Sequence, residues 1–198
     1  MMSVSQSPAS HSAVGTVKSY YPLHTIHCTG PVVFRNQLVR DYACLLDIDD
    51  DVVHWSCPTT ALGSGQLIHQ PDFAVLKNDG QWLIDVVNGD PPPQWVSAAA
   101  REAGFSYLAV DQMIIPSVRL KNAKDLLRYG GYEAALSDRI KVLAALDEFG
   151  SLSVADCLSA FSARHRVATL ASLILHRFIT LDLDKIIGPE TQIRRKRD

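Results

Sequence analysis

Apolar positions along this chain change period several times, and each change marks an element. Over residues 36–48, Leu38, Tyr42, Leu45 and Leu46 recur at helical spacing, with Asn36 placed to cap the first turn. The helix runs out in Asp47-Ile48-Asp49-Asp50-Asp51. Carboxylates at that end oppose the helix dipole, so the run reads as a solvated stop. Residues 52–55 and 59–62 predict short strands. Between residues 70 and 87, two β-branched-rich runs flank Asn78-Asp79-Gly80, a strong local signal for a β-hairpin. Gly89-Asp90-Pro91-Pro92-Pro93 then breaks the chain, because consecutive prolines continue neither a ladder nor a helix. Residues 95–103 predict a helix stopped by Gly104, and residues 105–110 another strand. This order predicts an α/β or α+β sheet flanked by helices.

From Ser117 the pattern is short and helical. Residues 122–127 start a helix. Residues 132–149 form a longer one, with Ala135, Ile140, Leu143, Ala144 and Leu146 on its apolar side and Gly150 ending it. Ser153 caps a short helix through Ala160, and residues 163–178 make a third. Strands at 179–183 and 191–193 follow, joined by a loop that contains Gly188-Pro189. Three helices and a two-stranded ribbon are the plan of a winged helix, in which the third helix reads the partner. Near its start that helix carries Arg164 and Arg166, which suit phosphate or a base edge. Beyond Arg166 it is almost wholly apolar until His176, which suits a core element in a protein-docking domain. Both readings stand at this point.

The hairpin carries the candidate chemistry. With Lys77 facing Gly80, strand parity places Asp72 opposite Asp85, so two carboxylates become cross-strand neighbours. The strands are apolar on both faces, which predicts a covered sheet and buried acids. Buried like charges are costly unless a cation or a proton sits between them. The pair is therefore expected to be a metal site, for Mg²⁺ or Mn²⁺, or the remnant of one.

Charge divides the 198 residues unevenly. Up to Pro116 there are 5 Lys+Arg against 11 Asp+Glu, a net −6; from Ser117 there are 14 against 10, a net +4. The hairpin's half is poorly prepared to grip phosphates. The basic half ends in Arg194-Arg195-Lys196-Arg197 and is the better nucleic-acid face, although such a tail is also ordinary for a solvated terminus. Hydrophobic residues make up 47% of the chain, ample for one core or two. Cys28, Cys44, Cys57 and Cys157 are widely spaced without a Cys-x-x-Cys pair, so a disulfide framework or zinc knuckle is not expected, and a reducing cytoplasm is the simplest compartment. His24 and His27 read as incidental loop histidines. No basic-then-apolar leader and no membrane-length apolar stretch is visible. Three segments are expected: a serine-rich disordered arm over 1–17, an α/β domain over 18–116 and the helical domain over 117–198.

Pro71-Asp72-Phe73 at the start of one strand and Asp85 in the next resemble the PD-(D/E)xK nuclease core, whose fold is a restriction-endonuclease-like mixed sheet flanked by helices. The wider pattern resembles the TnsA endonuclease family of heteromeric transposition systems. Phe34, Leu38, Arg40 and Asp41 match that family's Phe-Glu-Ser-x-Leu-Glu-Arg-Asp segment. Residues 47–53 match its Asp-x-Asp-x-Val-Val connection, Asn122 and Leu126 its lead into the terminal domain, and Leu181-Asp182-Leu183 with Gly188-Pro189-Glu190-Thr191 its wing. The resemblance implies a DNA-processing assembly with DNA or other transposition proteins as partners. It also implies catalytic positions at Val39, Asp72, Asp85 and Val87, where the family carries an acid, two acids and a lysine. Val39 and Val87 replace the family Glu and Lys, so the resemblance implies a pseudoenzyme. Loss of a water-activating group alone removes roughly 10²–10⁴-fold in typical enzymes. Two alternatives remain: an active Mg²⁺-dependent endonuclease using Asp72 and Asp85, and a DNA-binding regulator acting through the winged helix.

Overall fold

The computed structural model describes residues 19–162 and 164–197, so the arm expected over 1–17 lies outside the described residues. The first half contains α1 (Gln37–Ile48), β1 (Val52–Ser56), β2 (Leu62–Ser64), β3 (Leu67–His69), β4 (Phe73–Lys77), β5 (Gly80–Val87), α2 (Gln94–Glu102) and β6 (Ser106–Asp111). The second contains α3 (Ser117–Leu127), α4 (Leu136–Phe149), β7 (Leu152–Ser153), α5 (Val154–Ala160), α6 (Arg166–Leu175), β8 (Ile179–Thr180) and β9 (Gln192–Arg195).

Four strands form a mixed sheet in the order β1-β4-β5-β6. The first three are mutually antiparallel neighbours, and β6 runs parallel to β5. A parallel pair needs a crossover, and α2 supplies it after the proline break. Helix α1 covers one face with Val39, Ala43 and Leu46 against Trp55, Phe73 and Val86. Helix α2 covers the other with Val96 and Ala100 against Leu83. The second half of β5 is thus buried on both sides, while Val53 of β1 and Leu108 of β6 stay exposed. Lys77 pairs with Gly80 and Phe73 with Ile84, the register that sets Asp72 beside Asp85.

In the second half, β7-β9-β8 make a small antiparallel sheet against α3 to α6. Its core includes Leu127, Val142, Leu146, Leu173 and Ile193, and it takes in Cys44 and Ile48 of α1. Helix α1 is therefore buried between both cores. Asp41 on its side accepts from Lys124 of α3 at 2.8 Å. Asn122, fully covered, donates to Leu183 O and Lys185 O and so ties α3 to the loop after β8.

Several expected elements differ. The strand expected at 59–62 instead begins at Leu62 and pairs with β3, because the turn at Gly65-Gln66, with Gly65 at φ +61°, folds it back there. Helix α4 starts only at Leu136, since Ala134 N is held by Ser172 Oγ of α6. Its buried stripe is Asp138, Val142 and Leu146, while Ile140 is 58% exposed: the packing direction follows α5 and the β7–β9 pair, not the sequence's apolar count. Helix α6 is shorter than 163–178, and Arg177 at φ +59° ends it. The Arg177 guanidinium then donates to Asp49 O and Val52 O. Strand β8 covers only residues 179–180, and β9 reaches Arg195, so Arg194 and Arg195 belong to a strand.

The largest correction is the acidic run. Asp47 is 1% exposed. Its Oδ1 accepts from Ile26 N at 3.1 Å, His27 N at 2.9 Å and Trp55 Nε1 at 2.9 Å. Asp49 and Asp50 pair with Lys77 and Lys196. Four aspartates at a helix's end read as solvated because charge runs usually are; here Asp47 falls on the side of α1 that faces the incoming chain. Arg40 works in the same way, donating to Pro22 O and His24 O from a fully buried position.

Asp47→Ala leaves three buried donors without an acceptor and is expected to cost about 3 kcal/mol in urea unfolding. Asp51→Ala, on the exposed part of the same run, should stay within about 0.5 kcal/mol. A second expectation concerns His27, whose imidazole is held down at about 4, first by burial and then by Arg177 and His176. A depressed histidine contributes stability that is complete above its ordinary 6.5 and lost as pH falls toward 4. The stability difference between wild type and His27→Leu should therefore shrink or reverse over that window; a pH-independent difference would exclude His27 as its source.

Candidate functional site

The hairpin brings Asp72 and Asp85 together as the register requires: Asp72 N donates to Asp85 Oδ1 at 3.3 Å. Both side chains are 5% exposed. The cation that such a pair needs comes from outside the sheet. Arg35 immediately precedes the Asn36 cap of α1, whose Oδ1 accepts from Val39 N at 2.9 Å. From there its guanidinium reaches the sheet, giving Nε to Asp72 Oδ1 at 2.5 Å and Nη2 to Asp72 Oδ2 at 2.8 Å. The same Nη2 donates to Val86 O at 2.6 Å, and Val86 N donates to Asp72 Oδ2 at 2.8 Å. A planar guanidinium matches a carboxylate at two points, which fixes both. The bond to Asp72 raises Arg35 above its usual range.

Asp85 is closed by different partners. Its Oδ2 lies 2.7 Å from His69 Nε2 and accepts from Tyr107 Oη at 2.5 Å. His69 sits at the end of β3 and Tyr107 in β6, so the two flank Asp85 from separate parts of the chain. Because a carboxylate only accepts, the facing His69 nitrogen carries the proton. Burial, then the bond to Asp85 and its charge with that of Asp72, push the Tyr107 phenol far up, so it stays a donor. His69 further stands edge-on to Trp95 of α2, 6.4 Å between centroids.

These contacts decide the fit of a divalent cation. Every oxygen of the two carboxylates already accepts from a protein donor. Val39 is fully buried in the core under the sheet, and Val87 follows in β5; neither offers a ligand. Mg²⁺ requires near-octahedral oxygen ligands at about 2.0–2.1 Å. In this arrangement the residues do not fit Mg²⁺ or Mn²⁺. Among the described residues no group of three or more His, Cys, Asp or Glu is placed to hold a metal ion.

No protein-family model and no curated protein matches the chain.

Arg164 and Arg166 are exposed at the start of α6, whose residues 168–175 are all buried. Only the first turn of that helix is accessible. Arg195 pairs with Asp147 of α4, and Lys196 with Asp50 beyond α1, while Arg194 and Arg197 face solvent. Among the described residues no helix is long and apolar enough to cross a membrane.

Arg35, His69 and Tyr107 are the site residues that the sequence reading missed. A signal for Arg35 exists. The acidic half holds five basic residues, of which Lys77 lies at the hairpin tip and Arg40 and Arg101 lie within helices. That leaves Lys18 and Arg35 as candidates to compensate a buried acid pair. His69 and Tyr107 carry no comparable signal, since their approach depends on how the β2–β3 ribbon and the α2 crossover fold over the sheet.

If Arg35 supplies the compensating charge, Arg35→Ala should destabilise the protein by about 2 kcal/mol, because Asp72 stays buried with fewer donors. The same variant should gain calorimetric Mn²⁺ binding that wild type and Arg35→Lys lack. Mn²⁺ binding by wild type would show that the guanidinium gives way to metal.

Proposed function

We propose that this chain is a TnsA-like subunit of a DNA-processing assembly of the transposition type, in which a nuclease-type core serves as a scaffold and the helical half docks a partner. The observation that carries the reading is the two-point bond between Arg35 and Asp72. It takes up the Asp72 carboxylate, as His69 and Tyr107 take up that of Asp85, and acids so engaged are poorly placed to activate water. Val39, sealed in the core, and Val87 agree with a centre given over to structure.

Support for the nuclease-type core is the mixed sheet with α1 on one face and the acids at the start of β4 and within β5. The helical half follows the winged-helix order: α4, β7, α5, α6, β8, β9, with β9 central in its sheet. Two facts favour protein docking over DNA reading there. Helix α6 has no free face to lay in a groove, and Arg195 and Lys196 are engaged with Asp147 and Asp50. A working endonuclease would need Arg35 to withdraw from Asp72 and His69 and Tyr107 to release Asp85.

Nicking of supercoiled plasmid in Mg²⁺ or Mn²⁺ tests the reading. Wild type and Asp72→Ala should both stay at background. Metal-dependent nicking by wild type that Asp72→Ala abolishes would establish the endonuclease instead.

A further inference from the structure

Helices α3, α5 and α6 and the loop at 186–187 border a groove of about 370 Å³. Its floor is already built: Leu126 of α3 and Leu170 and Ile174 of α6 belong to the buried core and do not have to move to receive a ligand. Its lips are different. Ile186 is 80% exposed and Val167 is 53% exposed, two β-branched apolar side chains held in water on either side of an apolar channel. Val167 is also one of the few accessible positions on α6. Apolar lips over a preformed apolar floor mark an interaction surface.

Charge selects the occupant. Lys121 and Arg128 line the groove and share Asp125 between them. Arg166 adjoins Val167, and Lys185, paired with Asp182, adjoins Ile186. The lining itself thus holds two cations against one carboxylate. A second copy would bring the same excess of positive charge to its own lips. The chain's first 18 residues contain no Asp or Glu, so they offer the rim nothing. A nucleic-acid backbone would meet the cations but leave the apolar floor wet. A helix with one apolar side and carboxylates beside it meets both demands, the helix-in-groove mode of recognition.

We propose that this groove docks an amphipathic, acidic helix of a partner protein, an inference that rests on the helical half being a docking module. Ile186 and Val167 clasp the apolar side, and Lys121 and Arg128 meet its carboxylates.

The probe is a fluorescein-labelled helical peptide of about four turns with leucines at i, i+3, i+4 and i+7 and glutamates flanking them. A twin carries lysine for every glutamate. Anisotropy with the full chain should show saturable binding of the acidic peptide, weakened at least about tenfold in Ile186→Asp and in Val167→Asp, and similarly weakened for the lysine twin. Both positions are exposed, so the variants should keep wild-type circular dichroism. Ile140→Asp, exposed on α4 outside the groove, should bind like wild type. Failure of the acidic peptide to bind, equal binding of the twin, or indifference to both groove variants would overturn the proposal. So would a dimer in sedimentation that Ile186→Asp dissociates, which assigns the groove to a second copy. The plasmid assay is independent: nicking would remove the scaffold reading without touching peptide binding, and lost peptide binding would remove the groove while nicking stays at background.

Discussion

A carboxylate taken out of water must find donors or a cation, and in this protein that constraint decides how the loops run. Asp47, Asp72, Asp85 and Asp138 are all buried, and each draws in a distant piece of chain. Asp47 holds the backbone at 26–27 and the Trp55 indole. Asp72 holds Arg35, Asp85 holds His69 and Tyr107, and Asp138 accepts from Ser162 N. Removing one partner of such an arrangement strands a buried charge, so these contacts specify the fold more sharply than their net stabilisation suggests.

Helix α1 concentrates the effect. One side of it seals the mixed sheet, and the other enters the core of the helical half. Its polar residues are spent in three directions: Arg40 and Asp47 on the incoming chain, Asp41 on α3, and Arg35, just ahead of its cap, on the hairpin. The contact of Arg177 with Asp49 O and Val52 O adds a link from the end of α6 to the turn after α1. The acid pair and the helical half are therefore attached to one rigid element, even though their sequences differ in composition and charge.

Local chemistry made much of this legible. Asn78-Asp79-Gly80 set the hairpin and its register, and with it the meeting of Asp72 and Asp85. Asn36 marked the start of α1, three prolines the break before α2, and Ser153 the capping box of α5 with Asp156. What stayed hidden depends on contacts far apart in sequence. Arg35 and Asp72 are 37 residues apart, and Asp85 and Tyr107 are 22 apart. Asp47 was misleading because four neighbouring aspartates look solvated, and only packing of the 26–27 segment against α1 singles one out. The face of α4 was misread for a related reason: its stripe is set by α5 and β9, which no periodicity within α4 can reveal.

The placement of Arg35 also limits the order in which this hairpin can change over evolutionary time. Two buried acids tolerate one compensating cation, supplied either by a side chain or by an ion, and a change from one to the other cannot be made by improving the ion's ligands alone. A lysine at 87 or an acid at 39 gained while Arg35 remains would add an unpaired charge to a closed site. Losing Arg35 first would leave the acids exposed to each other's repulsion. Until an ion takes the place of the guanidinium, the two chemistries are separated by a metal-free intermediate in which the buried acids lack a cation, which gives this arrangement a persistence that its individual bonds do not.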